Sequence, residues 1–455
     1  MNFCIEGYIG RLEDYMITMK FGGTSVGDAD RIRNVVEIIK SRKDKKLIVV
    51  VSAVSKVTDM LITLAVECSK GNGKETLKKI IEKHNQMLEA LSIEKSIIDT
   101  DIKELNKLAE ELMKSKKLDI KVMDSMQSFG ERMSSKIVAA CLRNSGLKAE
   151  AFDSWELGLT TNKDFGNAEP LEDSYSRIKN NIKKLKVIPV ITGFIGKTRE
   201  GEMTTLGRGG SDYTAAIFGS AAECEEIQIW TDVNGIMSTD PKIVQSARTI
   251  EKISFAEASE LAYFGAKVIH PKTLLPAMKK NIPVRVLNSF EPSNKGTLIV
   301  NKAAKSKDIV KAIACKKKIN LVHVESTRML GAYGFLARIF DVFNEFKKSV
   351  DVVSTSEVSV SITVDNEENL DVILNRLKEI GDAKVSSNRA IVCVVGEGIG
   401  YTPGVAARTF TAMAKNNINI EMMSVGASDI NITFIVKEEE AEKAVNSLHK
   451  EYFGG

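Results

Sequence analysis

The sequence predicts an α/β fold with a mainly parallel sheet, followed by a smaller α+β region. Residues 16–60 read strand, glycine turn, helix, strand, a βαβ unit that implies a parallel sheet. Strand-like and helix-like runs then alternate to about residue 300. Beyond that point the chain repeats itself: residues 334–364 align without gaps on 404–434, a shift of 70 positions.

Each element has its own signal. MITMKF is a short strand, and GGTSVGDADR is a turn. IRNVVEIIK follows with Ile32, Val35, Val36 and Ile39 on one helical face. LIVVVSAV is a β-branched run suited to a strand covered on both faces. Residues 61–145 are helix-rich, and the Lys/Glu run from Lys70 to Lys121 reads as a solvated helical face. Strands return at LKAEAF, VIPVITGFIG and EIQIWTD, with SDYTAAIFGSAAE as a helix. The polar stretch 301–311 reads as a linker. In the repeat, Gly334/Gly404, Ala337/Ala407, Arg338/Arg408, Phe340/Phe410, Ser354/Ser424, Ile362/Ile432 and Thr363/Thr433 coincide. Each copy reads strand, glycine turn, amphipathic helix, strand, turn, strand. Units this small bury little alone, so they pack together or on a second subunit.

Composition narrows the function. The chain has 455 residues, 43% hydrophobic and 27% charged, enough for about three globular domains. Sixty-four basic and 60 acidic residues are interspersed, for a net charge of +4; this gives no case for nucleic acid. The longest uncharged apolar run, Leu47 to Val54, is far short of the ~20 residues a bilayer requires. Glu6, Arg11, Glu13 and Asp14 break any signal-peptide core, and Met16 is an alternative start. Cys4, Cys68, Cys141, Cys224, Cys315 and Cys393 are far apart, and His84, His270, His323 and His449 do not gather with them. Free thiols in a reducing cytoplasm are expected, with no zinc site.

Three tempting motifs fail. Gly196-Lys197-Thr198 lacks the upstream glycine of a P-loop, since Ile191 stands there. Asp164-Phe165-Gly166 lacks the rest of a protein-kinase signature, and Gly396 to Gly400 is not GxGxxG. All three read as turns.

Four segments carry chemistry. Lys20-Phe21-Gly22-Gly23-Thr24-Ser25 follows a strand and leads to a helix, so backbone N–H groups and an ammonium can meet an anion. Thr205 to Asp212, with three glycines, Arg208 and Ser211, forms an anion nest beside a guanidinium. Trp230 to Met237, then Asp240-Pro241-Lys242, is a strand end of the kind that binds nucleotides. Phe264 to Pro271 places Lys267 beside a glycine.

Together, KFGGTS, SFGER (128–132), GRGGSD, WTDVNGI and FGAKVIHP occur in the order found in the aspartate kinases, a branch of the amino-acid kinase family, which residues 17–453 resemble. The resemblance implies a three-layer αβα kinase domain over 16–304. Two ACT domains of βαββαβ type would follow, the first at 319–387 and the second formed by 306–318 and 388–455, interrupted by the first. It implies transfer of the ATP γ-phosphate to the side-chain carboxylate of L-aspartate, the first step of lysine, threonine and methionine biosynthesis. That carboxylate is already ionised at pH 7, so no general base is required. Charge neutralisation and alignment are what matter.

By the same resemblance Lys20 and Lys267 hold the transferring phosphate and the leaving ADP oxygens. Gly22 and Gly23 supply backbone donors. Arg208 clamps the α-carboxylate, Glu131 accepts the ammonium, Ser52 and Thr58 hold the side-chain carboxylate, and Ser211 is a further substrate-binding residue. Asp212 orders the site. ATP, with Mg²⁺, sits at Thr231, Asp232 and the following loop to Lys242, with Val268 nearby. Met237 stands where Tyr or Phe is common, and Lys242 where Arg is common. No metal ligand is assigned, because phosphate oxygens and water supply most of them.

Phe335, Leu336, Ser349, Val350, Asp351, Ser356 and Glu357 match an L-lysine site at an ACT dimer interface, which implies feedback inhibition and a homodimer or dimer of dimers. Threonine is the competing effector. With no homoserine dehydrogenase domain after Gly455, a monofunctional chain is expected. Sister kinases for glutamate, acetylglutamate or uridylate do not explain Arg208 and Glu131 beside tandem ACT units. A catalytically silent sensor does not explain Lys20, Arg208, Asp212 and Lys267.

Overall fold

The computed structural model describes residues 16–265, 269–303, 309–329, 333–425 and 428–454. The chain forms two compact units. Of the described residues, one comprises 16–236, 251–255 and 269–302; the other comprises 237–250, 256–265 and those from 303 onward.

The first unit is built on an eight-stranded sheet. Its strands are β1 (Met16–Phe21), β2 (Lys46–Val51), β3 (Ala149–Phe152), β4 (Ile188–Thr192), β7 (Glu226–Thr231), β8 (Lys252–Ser254), β9 (Val284–Asn288) and β10 (Thr297–Val300), in the order β3-β4-β2-β1-β7-β9-β10-β8. Only β9–β10 pair antiparallel. A separate hairpin joins β5 (Ile195–Lys197) to β6 (Met203–Thr205). Side chains alternate across a strand. Ile17, Met19 and Phe21 therefore enter one core with helices Ala29–Lys40, Val57–Ser69 and Ile120–Asn144. Thr18 and Lys20 face the other way, toward helix Gly210–Ala221, where Gly219 lies against Thr18.

The second unit holds a six-stranded antiparallel sheet in the order β12-β13-β11-β14-β16-β15. Two strands of 14 residues, β11 (Ala312–Glu325) and β14 (Asp382–Val395), form its centre. Beside them lie β12 (Val353–Thr355), β13 (Ser359–Val364), β15 (Met422–Val425) and β16 (Asn431–Lys437). The repeat is visible directly. Helices Phe335–Glu345 and Val405–Lys415 start after Gly334 and Gly404, both at positive φ, and each is followed by two strands. Each copy has its own apolar core, one around Ile339, Ile362 and Leu377, the other around Ile432, Phe434 and Leu448.

Several expectations shift. VIPVITGFIG is two strands, not one. The chain turns at Phe194, whose φ is +66°, and a Cβ on Gly193 would lie 2.6 Å from that of Ser211. Gly196 and Lys197 lie in β5 rather than a turn, because the missing Cβ lets the hairpin close on Thr161. Of the polar stretch 301–311, residues 304–308 fall outside the described residues. Its end is not a linker: Val310 is buried in a core, and Lys311 makes a nearly buried ion pair with Glu257 at 3.2 Å. Among the described residues no helix is long and apolar enough to cross a membrane. Cys68, Cys141, Cys224, Cys315 and Cys393 are free thiols.

Candidate active site

Strand ends and loops of the first unit converge on a cavity of about 990 Å³. Lys20, Gly22, Gly23, Ser52, Thr58, Glu131, Arg208, Ser211, Asp212, Thr231 and Asp232 all line it. Sequence positions more than two hundred residues apart are thus brought together.

Lys20 sits near the carboxyl end of β1 and Asp212 in the first turn of helix Gly210–Ala221. The Lys20 Nζ lies 2.6 Å from the Asp212 Oδ1, with both side chains nearly buried. An acidic group in a helix's first turn is also favoured by the helix dipole. The Gly22 N–H donates to the Trp230 carbonyl at 3.1 Å, so it is not open to a ligand. Among the described residues the Gly23 N–H has no such partner.

Glu131 lies in the long helix Ile120–Asn144, which is capped by Asp119. Gly130 lets that helix approach the loop after β2, since a Cβ there would stand 2.7 Å from that of Ala53. The Ala53 N–H consequently reaches the Glu131 Oε1 at 3.1 Å. The other oxygen, Oε2, is buried with no partner among the described residues. Burial pushes this carboxyl up to about 8, with the Ala53 N–H and the Lys20 charge acting in the opposite direction.

Arg208 is exposed and makes no ion pair among the described residues. Gly209 at positive φ brings its loop against His270 and Thr273. Burial, aided by Arg208 and Lys272, lowers the His270 pKa. The Thr231 hydroxyl donates to Asp232 at 3.2 Å. Lys267 and Val268 fall outside the described residues. Met237 and Lys242 belong to the second unit: Met237 accepts from the Thr249 hydroxyl at 3.5 Å through its sulfur, and Lys242 is exposed. Among the described residues no three His, Cys, Asp or Glu side chains gather as a metal site.

The other candidates in the second unit divide by exposure. Phe335 is buried in the apolar core, and Val350 packs on it. Leu336, Ser349, Ser356 and Glu357 are exposed. The Asp351 side chain is only 2% exposed and is already engaged. The Tyr263 hydroxyl donates to its Oδ1 at 2.5 Å, and the Lys316 ammonium meets its Oδ2 at 2.9 Å. Lys316 also pairs with Asp365 at 2.5 Å. Burial, reinforced by Asp365, raises the Asp351 carboxyl.

Residues 16–288 match the amino acid kinase family, and residues 392–452 match an ACT domain. Aspartokinase 1, chloroplastic, of Arabidopsis thaliana is 39% identical, over 96% of this chain and 80% of that protein. The lysine-sensitive aspartokinase 3 of Escherichia coli (strain K12) is 36% identical, over 96% and 99%. The chain belongs to the aspartokinases. The crystal structure of E. coli aspartokinase III with aspartate and ADP covers the same fold, with a TM-score of 0.83 at 35% identity over 96% of this chain and 100% of that one. Its complex with lysine and aspartate gives 0.80 over 96% and 99%. Membership makes the chain an ATP-dependent kinase.

Sequence reasoning missed residues in and behind this site. Asp124 lines the cavity one face and two turns from Glu131, a spacing visible in the sequence once the helix is placed. Ser289, buried, bonds the Ser25 hydroxyl at 2.8 Å and the Thr231 carbonyl at 3.0 Å. It ties two ligand loops together, and nothing in its sequence context marks it. Gly166, dismissed with its decoy motif as a turn, is indeed in a turn, yet it lines the cavity.

Proposed function

We propose that the chain phosphorylates the side-chain carboxylate of L-aspartate with ATP, giving 4-phospho-L-aspartate. The observation that carries this is the Glu131 carboxyl group, which lines the cavity with its Oε2 buried and unpartnered among the described residues. A buried unpaired acceptor calls for a cationic donor, and an α-ammonium supplies one. Arg208 takes the α-carboxylate as a fork, and Ser52, Thr58 and Ser211 take the side-chain carboxylate. Lys20, held by Asp212, meets the transferring phosphate, together with Lys267 and the Gly23 N–H. ATP lies against Thr231 and Asp232, with Val268 completing its site. Mg²⁺ accompanies the nucleotide and draws most of its ligands from phosphate and water. Alignment and charge neutralisation are the whole of the chemistry, since the nucleophile arrives ionised.

We also propose L-lysine as feedback inhibitor, with an ammonium on Asp351 and Glu357 at its other end. The buried Asp351 and the lysine-sensitive relative support this. The kinase domain of 16–304 is followed by ACT domains at 319–387 and at 306–318 with 388–455. The pairing of residues 312–316 with 391–395 supports the interrupted second domain. A homodimer through the ACT domains and a reducing cytoplasmic setting for the free thiols complete the proposal.

The test mixes the pure protein with ATP, Mg²⁺, L-aspartate and hydroxylamine. Aspartyl hydroxamate that falls with added L-lysine supports both parts. Hydroxamate indifferent to lysine removes lysine as effector. Absence of hydroxamate overturns the kinase reaction.

A further inference from the structure

Asp124 is 1% exposed, and among the described residues it makes no ion pair. A buried carboxylate without a counter-ion is costly unless donors satisfy it. Here three do. The Thr205 hydroxyl donates to Oδ1 at 2.8 Å, the Thr205 N–H to Oδ2 at 3.0 Å, and the Gly166 N–H to the same Oδ2 at 2.9 Å. Such bonds to a charged acceptor are among the stronger ones in proteins.

These donors belong to two segments that meet at the substrate end of the cavity. The Ala168 N–H donates to the Thr205 carbonyl at 2.9 Å, which fastens the 162–168 turn to β6. Gly207 then lies so close to that turn that a Cβ on it would stand 2.7 Å from the Asn167 Oδ1. Arg208 is the next residue. Asp124 thus holds the stem from which Arg208 projects. It also stands seven residues before Glu131, about two turns of the same helix, and both line the cavity.

We propose that Asp124 is a positioning residue that sets the distance between Arg208 and Glu131, and so the fit of the α-carboxylate and α-ammonium of the substrate. This rests on the aspartate reading above. The helix supplies the ammonium acceptor directly and the carboxylate clamp through Asp124, Thr205 and Gly207. One rigid element therefore fixes both ends of an α-amino acid. Substrates lacking either group gain nothing from this spacing.

A double-mutant cycle in kcat/KM for aspartate tests it, with Asp124→Asn, Arg208→Ala and the pair. Asp124→Asn alone is expected to lose ~100-fold, the scale of an ångström's misplacement, mostly in KM for aspartate. KM for ATP should stay within about twofold of the wild type, which a general loss of structure would not allow. In the Arg208→Ala background the same substitution should cost less than about threefold. Losses that simply multiply overturn the role. If Asp124→Asn does not fold, Thr205→Val removes one donor and enters the same cycle, where multiplied losses overturn the role equally. A wild-type chain that forms no aspartyl hydroxamate overturns the aspartate reading and this role with it; turnover with multiplied losses overturns this role alone.

Discussion

The Lys20 ammonium and the Asp212 carboxylate stand 2.6 Å apart, joining the end of β1 to the first turn of helix Gly210–Ala221. Each is nearly buried, so each depends on the other. Lys20→Ala should lower turnover by ~100–1,000-fold, the range for removing one preorganised charge from a reacting centre. It also strands Asp212. The double variant Lys20→Ala/Asp212→Ala should therefore melt higher than Lys20→Ala alone. Calorimetry of the two reads this directly, and equal melting temperatures would refute the mutual dependence.

Glu131 makes aspartate use pH-dependent. Its carboxyl, ordinarily near 4.5, is raised to about 8, so the free protein holds it protonated at neutral pH. Only the ionised form attracts an ammonium. Below pH 8, kcat/KM for aspartate should climb about tenfold per pH unit, then level off above 8. Stability runs the opposite way: a raised carboxyl favours the folded state at low pH, and that share is lost as pH rises from 4.5 to 8. Glu131→Gln should flatten the kinetic profile; a profile unchanged by it would exclude Glu131 as the titrating group.

Gly130 offers a steric test. A Cβ at this position meets that of Ala53 at 2.7 Å. Gly130→Ala should destabilise the fold by ~1–3 kcal/mol and raise KM for aspartate, because Ala53 is pushed off Glu131. Ala53→Gly placed in the same chain should restore both, as followed by urea melts and kinetics. Failure of the second change to rescue the first would locate the strain elsewhere.

Asp351 is held by Tyr263 and Lys316 before any effector arrives. An incoming ammonium has to displace one of them. Asp351→Ala should abolish inhibition by lysine and leave basal turnover intact. Tyr263→Phe removes one competitor and should lower the half-inhibiting lysine concentration by roughly tenfold, the value of one hydrogen bond to a charged group. Inhibition curves of the three chains decide the matter, and an unshifted Tyr263→Phe curve would rule out the competition.

Much of this was legible in the sequence because it rests on local pattern. MITMKF and its GG turn form β1 and the loop after it, since Ile17, Met19 and Phe21 alternate onto one buried face. The 70-residue repeat survives because each copy solves the same packing problem. What escaped is non-local. Asp124 has its meaning only when the 162–168 turn and β6 meet on it. Ser289 acts through a carbonyl and a hydroxyl contributed by distant loops. Gly22 reads as a donor to phosphate until Trp230, more than two hundred residues later, takes its N–H.

The chain passes between its two compact units five times, after Ile236, Ile250, Phe255, Lys267 and Lys302. Val244, from the stretch after the WTDVNGI strand, is buried in the same apolar cluster as Val310 and Leu448. A single scissors cut at residue 302 therefore cannot free a self-sufficient catalytic half. It would leave Val244 with its greasy neighbours gone and the stretch around it unsupported. Evolution or an engineer can therefore exchange the sensor of such a chain only by resewing several seams at once.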